Sequence, residues 1–222
     1  MPTLDIILSE LRSLFEHEYR KRESLKDITR SLQIPTSQEV LDIEKQQTYE
    51  WENFIKDKLK YFFMFPPQHS RHFSMLDEFN KVAKYEKSIF IMTKFPEGES
   101  QSDVELTNVI TAVSKAIRSC GYYPRTASES DYHSLLWDNV ELYLLGCCKG
   151  VAIVEDHYKP ELNPNVAMEW GWMRGMGKDV LFLVENDFAH PRADWSGLTE
   201  HRFSWNNPET DVEEAIKKWL KV

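Results

Sequence analysis

The sequence predicts an α/β fold built on a parallel five-stranded sheet in the order 2-1-3-4-5, with a helical region ahead of it. Three observations predict this. After Lys87, short apolar runs alternate with longer stretches of helical spacing, the pattern of strands joined by crossover helices. Before Lys87, apolar residues recur only at helical intervals. The 222 residues, 41% hydrophobic and 28% charged with 8 Gly and 10 Pro, suffice for one α/β domain plus an appendage and leave no long disordered tract.

In chain order, Leu4, Leu8, Leu11 and Phe15 form a first helical stripe that ends at Lys21, Arg22 and Glu23. A second helix starts after Pro35, where Thr36 or Ser37 can cap and Glu39 is within capping-box reach. It runs through Val40, Ile43, Trp51, Phe54, Ile55 and Leu59 until Pro66 and Pro67 stop it. A shorter helix, Met75 to Lys84, completes a helical region over residues 1–86. Ser88 to Thr93 is then the first strand, and Asp103 to Ser119 a helix ended by Gly121. Tyr122 to Thr126 is the second strand and Tyr132 to Cys147 a helix. Gly150 to Glu155 is the third strand, Pro164 to Met176 a helix and Asp179 to Glu185 the fourth strand. His201 to Trp205 reads as a fifth strand and Glu209 to Leu220 as the closing helix. This alternation over residues 87–222 suggests the flavodoxin-like arrangement, whose ligand crevice lies outside the carboxyl ends of strands one and three.

Composition narrows the function. Lys and Arg number 27 against 36 Asp and Glu, a net charge of -9, so the chain lacks the positive field that phosphate backbones or anionic membrane surfaces select. No stretch approaches the ~20 apolar residues of a spanning helix, and Asp5 and Glu10 interrupt what would have to be the core of a secretory leader. Cys120, Cys147 and Cys148 form no CxxC or Cys/His pattern and point to a reducing compartment. The expected location is the cytoplasm.

With that topology, the residues after each strand share one rim: Lys94, Phe95, Glu97 and Glu99; Ser128, Glu129 and Asp131; Glu155, Asp156 and His157; Glu185, Asn186 and Asp187. Most of these carboxylates suit solvated loops. The segment Asn163-Pro164-Asn165-Val166-Ala167-Met168-Glu169-Trp170-Gly171 is different. Asn163 is a favourable N-cap and Pro164 fits the first helical position, which opens a helix beside the crevice. At ~100° per residue, Val166, Trp170, Met173 and Gly177 make one stripe, and Glu169 lies about 70° from its centre, bordering the core. Ala167, Gly171 and Gly175 make a seam of small residues that implies close packing. Taken alone, Glu169 is more often a boundary carboxylate paired with Arg174 or a loop donor than a catalytic group.

The stretch from Ser88 to Glu185, above all GVAIVEDHYKPELNPNVAMEWGWMRGMGKDVLFLVE, resembles the TIR-like and nucleoside 2-deoxyribosyltransferase-like families. The shared pattern is a strand, an acidic residue, Asn-Pro-Asn-Val, Glu-x-Gly on the helix and Gly-Lys before the next strand. The resemblance implies that Glu169 is catalytic and that Asp156 or Glu155 binds or protonates substrate. With the rim, it places substrate-binding positions at Thr93, Lys94, Phe95, Glu155, Asp156, Asn163 and Asn165. It also implies that such domains act in antiviral or self-killing responses and become active on assembly. Residues 1–86 would then be an oligomerisation or partner-sensing element.

N-glycosidic chemistry suits these groups. Breaking a ribose–base bond passes through an oxocarbenium-like transition state, which a carboxylate can stabilise or capture covalently. With NAD the nicotinamide leaves neutral and needs no acid. With a purine deoxynucleoside the base must be protonated, so a second carboxyl, Asp156 or Glu155, is required. Both carboxyl types are present, and the sequence leaves both substrates open. The expectation is an NAD glycohydrolase-like enzyme with NAD as substrate and neither cofactor nor metal. The alternatives are a deoxyribosyltransferase and a catalytically silent nucleotide sensor or scaffold. Lys94, Arg125 and Lys159 are candidate phosphate donors, and Phe95, Tyr158 and Trp137 candidate base-stacking rings.

Other patterns fail. Gly171-x-x-x-Gly175-x-Gly177-Lys178 precedes a strand and ends in Asp179, the reverse of a phosphate loop, and Val180 stands where a dinucleotide fingerprint needs its third glycine. His69 and His72 lack an evident acidic or Cys partner nearby and read as surface residues. Cys147 and Cys148 read as small core residues, and no Gly-x-Ser-x-Gly elbow is present.

Overall fold

A computed structural model describes residues 9, 13, 16, 37–96, 98, 100–156, 163–188 and 200–222. The stripe from Leu4 to Phe15, the rim residues Glu97 and Glu99, and the loop carrying His157, Tyr158 and Lys159 lie outside the described residues. The chain divides into two compact units, Met1–Arg71 and His72–Val222.

In the first unit, α1 (Ser37–Met64) ends where Pro66 and Pro67 remove its next donors, as the sequence predicts. Leu59, Tyr61 and Phe65 are buried, and the Tyr61 and Phe65 rings stack at 6.4 Å. A 3-10 turn, Pro67–His72, leads out of it. Among the described residues no helix is long and apolar enough to cross a membrane.

The second unit is the α/β domain. Its elements are α2 (Phe73–Val82), β1 (Ser88–Met92), α3 (Gln101–Ser119), β2 (Tyr123–Arg125), α4 (Leu136–Gly146), β3 (Lys149–Val154), α5 (Pro164–Gly175), β4 (Asp179–Glu185), β5 (Glu200–Phe203) and α6 (Pro208–Leu220). The strands form one sheet in the order β2-β1-β3-β4-β5, and every pairing is parallel. The register sets Ile89 beside Lys149 and Met92 beside Ala152, so the residues after β1 and β3 emerge together at the topological switch.

The alternation of side chains across each strand explains the apolar runs. Ile89, Ile91, Val151, Ile153, Leu181 and Leu183 face Leu106, Val109, Val113 and Ile117 of α3 and Val212 and Ile216 of α6. The opposite face packs on the other helices: Phe90 meets Tyr143 of α4 at 5.7 Å and Phe182 meets Trp170 of α5 at 5.3 Å. A sheet covered on both sides has no use for polar alternation. The start of α3 is fixed by a capping box between Ser100 and Asp103, and its end by Gly121 at φ 77.

Helix α4 begins at Leu136, four residues later than the apolar pattern suggests. The reason is Asn139. Its Oδ1 accepts from Tyr132 N (2.9 Å) and its Nδ2 donates to Ala127 O (3.1 Å) and Ser130 O (3.0 Å), which holds the preceding segment as an irregular loop. The far end of α4 is closed by Lys178, whose buried ammonium donates to Leu144 O (2.6 Å), Leu145 O (2.9 Å) and Cys147 O (2.7 Å). A cation there satisfies orphan carbonyls and the helix dipole together, which gives the Gly177-Lys178 pair a structural purpose.

Arg125 is fully buried at the end of β2. Its guanidinium lies 3.7 Å from the Phe79 ring centroid and donates to Phe79 O (3.2 Å), Glu129 Oε2 (2.7 Å) and Tyr132 OH (3.0 Å). The Phe79 ring also presses on Gly146, where an added Cβ would lie 2.6 Å from it.

The small-residue seam on α5 is not a packing seam. Gly171 and Gly175 are exposed, and a Cβ on either would meet nothing within 4 Å. Close approach happens instead at Gly150 of β3, where a Cβ would come within 2.6 Å of Met92 Cε and 2.7 Å of Met173 Sδ.

Candidate functional site

The candidate site is the rim where β1 and β3 end side by side. Beyond β1, Thr93 and Lys94 are buried and Phe95 is 42% exposed. Beyond β3, Glu155 is buried and Asp156 half-buried. Lys94 Nζ reaches across the switch to Glu155, 2.7 Å from Oε1 and 3.3 Å from the carbonyl oxygen. Two residues expected to bind substrate directly therefore bind each other, and the pair holds the two strand ends together. Thr93 Oγ1 is buried with no hydrogen-bond partner among the described residues.

Helix α5 opens beside this rim as its sequence dictates. The Asn163 side chain accepts from Asn165 N at 2.9 Å, and Pro164 occupies the first helical position. Asn163 is half-buried and Asn165 exposed. The buried face of the helix is Val166, Glu169 and Met173, whereas Trp170 is only half-buried. Glu169 thus sits within the face turned to the sheet rather than at its border, because the stripe follows steps of three and four through position 169. Met173 packs over Gly150, and Glu169 lies one turn, ~6 Å, nearer the rim.

Glu169 is 8% exposed. Among the described residues it has no ion pair or hydrogen bond, and the expected Arg174 partner does not reach it. Burial alone pushes its pKa up to about 8. In the free protein at neutral pH the carboxyl is therefore mostly protonated. A buried carboxylic acid without a structural partner among the described residues, beside the carboxyl ends of a parallel sheet, is a candidate functional group.

Other predicted residues go elsewhere. Arg125 is enclosed by Phe79, Glu129 and Tyr132, so it is no phosphate donor. Trp137, expected as a base-stacking ring, pairs with Trp172 of α5 at 5.7 Å between ring centroids. Glu185 Oε1 accepts from Asp187 N at 2.8 Å, a local turn. Cys147 is a buried core residue, its thiol pushed up to about 12 by burial, as expected of an inert cysteine. His69 and His72 are not on the surface: both are buried. The Lys94–Glu155 pair was missed because neither residue's spacing hints at the other, although parallel register makes them neighbours. Comparison with protein-family models finds none that matches the chain, and comparison with curated proteins finds no match either.

Proposed function

We propose that the protein cleaves the N-glycosidic bond of NAD or a related nucleotide, with Glu169 as the carboxyl that acts at the anomeric carbon. The observation that carries this reading is the burial of Glu169, with no hydrogen bond or ion pair among the described residues, on the helix that opens at the β1–β3 switch. A carboxyl so placed loses its proton when a cation enters the same low-dielectric space, since the cation favours the ionised form. The pyridinium of NAD is such a cation. Its binding would create the negative charge where positive charge then develops on the sugar.

In the reaction the bond between C1′ and the nicotinamide nitrogen breaks, and its electron pair neutralises the ring. Water then adds to C1′ and gives up a proton. Thr93 Oγ1, without a hydrogen-bond partner among the described residues, offers its hydroxyl to a ribose oxygen. Lys94 offsets the Glu155 charge at the rim, which lessens repulsion of substrate phosphates by this acidic chain.

One observation favours a second reading. A carboxyl protonated at pH 7 is also a competent general acid, which suits a departing purine and hence deoxyribosyl transfer. Incubation with NAD over a range of protein concentrations, followed by chromatography for nicotinamide, tests the first reading, with Glu169→Gln as control. Release that Glu169→Gln abolishes supports it. Base exchange between deoxynucleosides without NAD cleavage supports the second. A nucleotide that raises the melting temperature with neither reaction, in assembled protein as well as monomer, makes the protein a sensor and overturns both. The first unit, Met1–Arg71, is the proposed assembly or partner-sensing element.

A further inference from the structure

A second group of ionisable side chains lies on α4, the loop before it and the first residue of the α/β unit, none of it on α5 or at the β1–β3 rim. His72, immediately before α2, is fully buried. Its Nε2 is 2.5 Å from Glu141 Oε2, and its Nδ1 is 3.1 Å from His133 Nε2. Asp138 stands one turn before Glu141 on α4, so both carboxyls occupy the same helical face. His72, Asp138 and Glu141 each offer a ligand atom, and these atoms lie within 4.8 Å of one another.

We propose that His72, Asp138 and Glu141 bind a divalent transition-metal cation, Zn2+ foremost. Bonds of ~2.0–2.2 Å in tetrahedral geometry separate neighbouring ligand atoms by about 3.3–3.5 Å. The His72–Glu141 contact of 2.5 Å is shorter than that spacing, so side-chain rotations that open it are what seat the ion. One imidazole nitrogen and two carboxylates suit Zn2+, with Mn2+ or Fe2+ as competitors, better than Ca2+ or Mg2+, which take oxygen only. A fourth position is left for water.

His133 fits the role of an orienting partner. With His72 Nε2 on the metal, Nδ1 carries the proton and donates it to His133 Nε2, which fixes the tautomer and the ring plane. The ligands come from positions 69 residues apart, Glu141 being that far from His72, so the ion would staple the entry of the α/β unit to α4.

The test uses the full chain, stripped with chelator, dialysed, and titrated with Zn2+ by calorimetry and with Co2+ by visible absorption. The expected result is one equivalent per chain, a rise in melting temperature with Zn2+, and Co2+ d–d bands. Asp138→Asn, at a half-buried position, lowers affinity at least a hundredfold, and His133→Gln lowers it about 10–100-fold. X-ray absorption of the Zn2+-loaded wild-type protein shows nitrogen and oxygen neighbours with one imidazole, and this readout holds even where a variant fails to fold. Folded wild-type protein that takes up no stoichiometric metal, Asp138→Asn protein with unchanged affinity, or a sulfur-containing shell overturns the proposal.

Discussion

Replacing Glu169 with Gln should make the protein more stable, and increasingly so as pH rises. Burial lifts the carboxyl from 4.5 to about 8 in the folded chain, while the unfolded chain keeps the ordinary value. The folded pKa is the higher one. Stability from the buried neutral acid is therefore complete below pH 4.5 and is lost as pH climbs towards 8, where the folded state must either hold a proton or bury a charge. At ~1.4 kcal/mol per unit, the interval from 4.5 to pH 7 corresponds to roughly 3 kcal/mol, and the interval to about 8 to roughly 5 kcal/mol. Gln keeps the shape and has no charge to bury, so its stability has no such slope. Urea denaturation at pH 5 and pH 8 measures the effect, with tryptophan fluorescence as the probe because Trp170 and Trp172 share α5 with Glu169. The variant should gain about 3–4 kcal/mol over wild type between the two pH values. A difference between the two proteins that stays flat with pH would refute the argument that burial raises the Glu169 pKa.

If the ionised carboxyl does the chemistry on NAD, kcat/KM rises with pH through about 8, the pKa of the free protein; a fall above 8 would assign Glu169 the acid role and favour nucleoside transfer. Lys94→Met strips Glu155 of its buried ammonium and should cost about 3–5 kcal/mol by denaturant titration, while Lys94→Met with Glu155→Leu recovers most of it. If the double variant is no more stable than the single, the pair is not what holds the two strand ends. Gly171→Ala and Gly175→Ala should each stabilise by ~0.5–1 kcal/mol, since the new methyl meets nothing, whereas Gly150→Ala should cost ~1–3 kcal/mol against Met92 and Met173. Melting curves of the three proteins separate the cases, and a loss at Gly171 would mean its exposed face is in use.

The sheet was legible because parallel strands buried on both faces need continuous apolar runs, and SIFIM, GVAIV and DVLFLVE have little else to be. Helix limits were legible where the cap is local, as at Asn163 and Gly121. They were misread where a side chain reaches back into a loop, as Asn139 does before α4. On α5 a single-stripe reading put Glu169 at the border and invoked close packing for Gly171 and Gly175. The helix instead turns Val166, Glu169 and Met173 inward and leaves both glycines in solvent. Pairings over long separations left no trace in spacing: Lys94 with Glu155 and His72 with Glu141 exist only because the fold folds back on itself. The nearest histidine in sequence to His72 is His69, whereas its acidic partner, Glu141, lies on α4.

The contact between Phe79 and Arg125 bears on how this chain can be cut. A fragment that starts at the first strand keeps the guanidinium but discards the aromatic lid over it and the carbonyl it donates to. It would also open a gap above Gly146. Such a fragment would expose a cation that the sheet was built to enclose, and its misbehaviour would say nothing about the chemistry at the rim. Fragments intended to isolate that chemistry should begin no later than His72.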